Sequence, residues 1–304
     1  YLGDTHWTMY TEEFDSAGKN AGNIQTNSHF KYIVDKRVEQ GFTVYQSEPI
    51  NSPFTLANGL SGSDLEGFQK ADKYYQYIAE KGLVHANAEF FYPMALTEKL
   101  MKDDAYLEKI SRYWVARFGA YPVMWTLAQE IDGNDYNPKG EGLFHYSCWN
   151  NPWVEIAEYI HGFDAYSHPL SGHQHGVEIT TVTGRGTQKE QQNDGIGMSA
   201  FYAAETFSGN FRHGHSFWAA QWGFKKNERY NDEIPKDYWA SDKPAVMYES
   251  SYCYLWTKDY GARVQGWVAF LNGMCGYGYG VGGIWKYKSS YDLDKDTVQE
   301  ETIK

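Results

Sequence analysis

Two glutamates, Glu130 and Glu249, each close a short apolar run: Trp125-Thr126-Leu127-Ala128-Gln129-Glu130 and Ala245-Val246-Met247-Tyr248-Glu249. A carboxylate at the end of a buried segment is costly unless it is paired or used. Glycoside hydrolysis uses two such groups, one on each side of the scissile bond. One must be protonated to donate to the leaving oxygen, while the other attacks the anomeric carbon or activates water. Polar residues close other apolar runs as well: Asp4, Gln46 with Glu48, Asn87 with Glu89, His173 with His175, and Gln221. Any one glutamate alone reads equally as a helix N-terminal acid or an ion-pair partner. Their repetition at the ends of apolar runs is what points to a site.

Glu130 and Glu249 lie more than a third of the chain apart, so only a closed architecture can bring them together. Short apolar strands alternate with amphipathic helices, the rhythm of a parallel sheet covered by helices. Tyr1 to Thr5 reads as the end of a first strand. A helix over Ser28–Gln40 places Phe30, Ile33, Val34 and Val38 at helical spacing. A second strand, Phe42–Tyr45, follows Gly41. A helix over Asp64–Glu80 leads to a third strand, Leu83–Glu89, and a helix over Asp104–Phe118 to a fourth, Val123–Leu127. Trp153–His161 reads as a short helix. Pro169–His173 and Phe217–Gln221 read as the fifth and sixth strands, and Ala245–Glu249 as the seventh. A helix over Tyr260–Leu271 precedes a glycine-rich eighth strand, Met274–Tyr279.

The count predicts a single (β/α)8 barrel over residues 1–304, with long loops at Ile131–Asn151 and Glu178–Gly209. Such barrels take about 250 residues and carry their active sites at the C-terminal strand ends. Tyr1 lies near the end of its strand and no amphipathic helix follows Trp285, so the barrel reads as trimmed at both ends.

Composition narrows the partners. The chain carries a net charge of −12 and no dense Lys/Arg run beyond Lys225-Lys226, which argues against nucleic acid. No apolar run reaches the roughly 18 residues of a membrane span. The spacing of Cys148, Cys253 and Cys275 matches no zinc site. Aromatic content is 17%, with 11 Trp and 26 Tyr. Trp7, Trp222, Trp256 and Trp285 lie beside strand ends, where rings can stack on sugars or pack in the core. No phosphate loop or nucleotide fingerprint is present. The glycines from Gly276 to Gly283 read as a means of letting the last strand bend. No cofactor is expected, and no feature sets an oligomeric state.

Several segments resemble the apiosidase-like glycoside hydrolases: Tyr1–Trp7, Gly41–Gln46, Trp125–Glu130, Lys243–Glu249 and Gly276–Trp285. The resemblance runs in order through nearly the whole chain. It implies a TIM barrel related to the clan of retaining glycosidases, with the acid/base on strand four and the nucleophile on strand seven. By position, Glu130 is then the acid/base and Glu249 the nucleophile. Asp4 and Gln221 match family positions and would bind sugar hydroxyls. The other strand-end residues, with Gln129 and Tyr248, complete a carbohydrate-binding cleft. The family pattern closes strand four with Gly-Gly-Asp, where this chain has Ala128-Gln129-Glu130. The longer side chain implies a different substrate or placement, and Asp132 is a rival acid. The resemblance also implies an extracellular or periplasmic location.

Two rival readings remain at this level. One is a carbohydrate-binding barrel without turnover. The other is a metal-dependent hydrolase built on His173, His175 and nearby acids, since alternate residues of a strand share a face and imidazoles favour zinc. His213-Gly214-His215 reads as a loop feature. No metal is expected.

Overall fold

The computed structural model describes residues 1–7, 9–11, 14–16, 27–47, 60–87, 103–127, 153–171, 218–221, 244–250, 252–253, 259–281 and 284. Eight strands run in the order expected: β1 (Leu2–Thr5), β2 (Val44–Ser47), β3 (Val84–Asn87), β4 (Val123–Thr126), β5 (Leu170–Ser171), β6 (Trp218–Gln221), β7 (Ala245–Glu249) and β8 (Gly276–Tyr279). Among the described residues five helices lie between them: α1 (His29–Glu39), α2 (Ser63–Glu80), α3 (Asp104–Phe118), α4 (Trp153–Phe163) and α5 (Asp259–Leu271). A 3-10 turn, Met9–Thr11, follows β1.

All neighbouring strands pair in parallel, in the order β5-β4-β3-β2-β1-β8-β7-β6. That order is the circle of a TIM barrel, because β1 pairs with both β2 and β8. Among the described residues β5 and β6 stand at its two ends.

Local chemistry sets the helix boundaries. The Ser28 side chain accepts from the Lys31 amide at 3.2 Å and caps α1, satisfying a donor that the first turn leaves open. Asp103 does the same for α3 through the Tyr106 amide. Gly41 and Gly82 follow α1 and α2 with φ of 81° and 77°, a left-handed conformation that glycine adopts without strain. The chain can therefore turn at once from each helix into the next strand.

Strand alternation then divides the core in two. One face of the sheet, with Tyr45, Trp125 and Leu127, packs on helix residues such as Phe30, Tyr74, Trp114 and Phe118. The stacked Tyr75 and Phe118 rings, 3.8 Å apart, lie in that layer. The other face fills the barrel lumen with Val44, Ala86, Val246 and Tyr248, joined by Trp7 and Tyr252.

The glycines of β8 have a different use from the bending expected. A Cβ on Gly276 would press into the Tyr1 ring, and one on Gly278 would overlap the Tyr248 carbonyl oxygen. A Cβ on Gly280, just beyond the strand, would overlap the Tyr252 ring. Alternate glycines thus leave lumen space that aromatic side chains and backbone occupy.

Candidate active site

Glu249 ends β7, and its side chain is buried in the lumen. Alternation alone would send it to the opposite face from Tyr248. A β-bulge changes this: Ala220 pairs with Met247, but Gln221 pairs with Glu249. Tyr248 is the extra residue, and a bulge of this kind re-aims the side chain that follows. The Glu249 carboxylate consequently meets Trp7 and Tyr252, both members of the lumen cluster.

Two donors converge on one carboxylate oxygen. The Tyr252 hydroxyl donates to Glu249 Oε1. The Trp7 indole Nε1–H reaches the same oxygen at 3.4 Å and also donates to the Tyr252 hydroxyl. Burial, and then the neighbouring Glu249 charge, push the Tyr252 phenol well above its ordinary pKa. Tyr252 therefore keeps its proton and acts as a donor. Two donors converging on one oxygen fix the orientation of the carboxylate.

Beneath this triad lies a cross-barrel tie. Gln46 extends from β2 past Gly3 and Gly278 and donates its Nε2–H to the Tyr248 carbonyl at 2.9 Å. The Tyr248 hydroxyl hydrogen-bonds Thr126 Oγ1 at 3.1 Å, joining β7 to β4. The Tyr248 ring packs on Trp7 with centroids 5.7 Å apart. Ser250 Oγ–H donates to the Gly278 carbonyl at 2.9 Å and anchors the chain just past Glu249.

The structure thus brings together Glu249, Trp7, Gln46 and Tyr248 of the residues read from sequence. Trp7 serves as a hydrogen-bond donor to the carboxylate rather than as an open stacking face, and Gln46 commits its amide to the Tyr248 backbone. Asp4 needs a correction. Its carboxylate accepts from Arg37 Nε at 2.6 Å, and both side chains are buried. Thr5 and Gly3 face the lumen, so alternation turns Asp4 towards α1 and away from any sugar. Burial pushes its carboxyl above the ordinary value while Arg37 pulls it back.

The backbones of Asn87 and Gln221 sit at the C-terminal ends of β3 and β6. Glu48, Glu89, Gln129, Glu130, His173, His175, Trp222, Trp256 and Trp285 lie outside the described residues. Tyr252 and Thr126 were missed. The signal for Tyr252 was its place three residues after Glu249, which lets a returning loop bring it back to the carboxylate. Thr126 is a polar residue inside an apolar run, two positions after Met124 on the same face.

Among the described residues no group of three or more His, Cys, Asp or Glu could hold a metal ion. None of the described helices is long and apolar enough to cross a membrane.

A parallel eight-stranded barrel with a buried, donor-held carboxylate at a C-terminal strand end defines a TIM-barrel protein with an enzyme-like active face. The chain belongs to the apiosidase-like catalytic domain family, which it matches over residues 1–301. Solved structures agree on the fold. A glycoside hydrolase family 5 protein from Bacteroides vulgatus superposes with a TM-score of 0.60 at 13% identity, covering 97% of this chain and 61% of that one. A structure described as a glycoside hydrolase gives a TM-score of 0.61 at 15% identity, over 99% and 65%. A β-1,4-D-mannanase from Cryptopygus antarcticus gives 0.54 at 16%, over 91% and 83%. The chain therefore spans less than two thirds of the length of the first two. No curated protein sequence matches it.

Proposed function

We propose that this chain is a retaining glycoside hydrolase acting on a plant or microbial oligo- or polysaccharide outside the cytoplasm. Glu249 is the nucleophile and Glu130 the general acid/base. The observation that carries this reading is the Glu249 carboxylate, buried at the end of β7 and held by Tyr252 and Trp7. A carboxylate with dedicated donors in a water-poor lumen is arranged for attack in one geometry. Membership of the apiosidase-like family and the barrel shared with glycoside hydrolases support the same chemistry.

In the first step Glu249 attacks the anomeric carbon as the glycosidic C–O bond breaks. Glu130 gives its proton to the leaving oxygen. In the second, Glu130 takes a proton from water, the water oxygen attacks the anomeric carbon, and Glu249 is released. Tyr252 and Trp7 both act on Oε1 and hold the carboxylate in one orientation. Retention requires the two carboxyl groups about 5 to 5.5 Å apart. The Ala128-Gln129-Glu130 ending, in place of Gly-Gly-Asp, favours a sugar other than apiose.

The test is sugar release from a panel of aryl glycosides and polysaccharides by the native chain and by Glu249→Gln. Turnover that collapses in the variant supports the assignment and names the substrate class. Turnover that survives removes Glu249 as nucleophile, and loss of that activity with a chelator would then favour a metal-dependent hydrolase.

A further inference from the structure

Tyr248 was expected to bind sugar, yet three separate elements of the barrel hold it. Gln46 from β2 holds its carbonyl, Thr126 from β4 bonds its hydroxyl, and Trp7 beyond β1 packs on its ring. Tyr248 is also the extra residue of the β7 bulge. A bulge is a local break in the ladder that surrounding structure must hold in place. Here its consequence is immediate, because the next residue is Glu249. Space for this arrangement is provided elsewhere in the barrel: a Cβ on Gly3 or Gly278 would strike the Gln46 side chain.

We propose that Tyr248 is the positioning residue of this site, its bulge locked by Gln46, Thr126 and Trp7 so that Glu249 enters the lumen against Tyr252. The Tyr248–Thr126 bond also ties β7 to β4. Thr126 lies on the strand that leads to Glu130, and Tyr248 directly precedes Glu249. Tyr248 acts through Glu249 and does not touch the sugar. The inference rests on the catalytic assignment of Glu249.

The test compares Tyr248→Phe, Thr126→Val, Thr126→Ser and the Tyr248→Phe/Thr126→Val double variant with the native chain. Kinetics use the aryl glycoside that the native chain hydrolyses best. A second readout, in the free protein, is the 15N-indole resonance of Trp7, assigned by its loss in Trp7→Phe. Each hydroxyl deletion is expected to lower kcat about 10- to 100-fold, the scale of a sub-ångström to ångström misplacement, with KM unchanged. Thr126→Ser restores the rate, and the double variant is no slower than the slower single, because both remove one bond. The Trp7 indole resonance moves in Tyr248→Phe and Thr126→Val and stays in Thr126→Ser.

A Tyr248→Phe variant with raised KM, unchanged kcat and an unmoved Trp7 signal would overturn the inference and make Tyr248 a sugar ligand. Silent Thr126→Val or additive losses would overturn it too, with the catalytic reading intact as long as Glu249→Gln is inactive. Full activity in Glu249→Gln would overturn the catalytic reading itself, and this inference with it.

Discussion

Tyr252 lies three residues beyond Glu249 and returns its hydroxyl to that same carboxylate, with the Trp7 indole bonded to both. The carboxylate is thereby oriented from two sides, by Tyr252 just beyond β7 and by Trp7 just beyond β1. A hydrogen bond to a charged group contributes roughly 1.5 to 3 kcal/mol. Removing it with Tyr252→Phe is expected to lower kcat by about 10- to 150-fold, with a smaller effect on KM. Steady-state kinetics decide it. An unchanged kcat would mean that Tyr252 only fills the lumen.

The Asp4–Arg37 pair should behave differently, as structure rather than site. Both groups are buried, and Arg37 also lies over the Phe42 and Tyr279 rings. Breaking a buried pair by removing one partner costs about 3 to 5 kcal/mol, because the other charge is stranded. Arg37→Met should therefore lose stability on that scale in urea unfolding, while the fraction that remains folded keeps its KM. A rise in KM without loss of stability would return Asp4 to the sugar site.

The eight strands and the Glu249 position were legible because apolar runs ended by polar residues repeat along the chain. The second strand begins two residues later than its pattern suggested, since Phe42 and Thr43 form the link from Gly41. Asp4 was misread because a strand end gives no face: register and alternation assign it, and both come from pairing with β2 and β8. The bulge at Tyr248 had no sequence signature. It depends on how β7 meets β6, a contact between segments distant in sequence. The Gln46–Tyr248 bond was hidden for the same reason, as two residues read separately as sugar ligands turn out to bond each other.

Gly278 and Gly162 offer a contrast in sign. A Cβ on Gly278 would overlap the Tyr248 carbonyl oxygen and lie 2.7 Å from Gln46 Oε1. Gly278→Ala forces backbone to shift, so a destabilisation of about 1 to 3 kcal/mol is expected. A loss of kcat beyond that seen at other destabilised positions should accompany it, since the Tyr248 carbonyl moves. Gly162, in the last turn of α4, has open space around its Cβ position. Gly162→Ala should stabilise the protein by about 0.5 to 1 kcal/mol through a less entropic unfolded chain. Thermal unfolding of the two variants tests both signs at once, and a stable, fully active Gly278→Ala would refute the packing argument.

Buried histidines predict how stability follows pH. Burial lowers His85 from its ordinary 6.5 to about 3 and His29 to about 4. Both are neutral when folded at pH 5, whereas the unfolded chain protonates them near pH 6.5. Below that value the unfolded state binds more protons, so stability falls as pH falls and is fully present above it. Each histidine contributes a slope of up to about 1.4 kcal/mol per pH unit between its unfolded and folded values. His85→Gln keeps a polar partner for Ser47, which His85 Nε2 meets at 2.6 Å, but removes the titration. Urea unfolding between pH 6 and pH 4 should therefore be less pH-dependent in His85→Gln by about that slope. The same slope in native and variant would show that His85 titrates alike in the folded and unfolded chain, which its burial between β3 and α2 argues against.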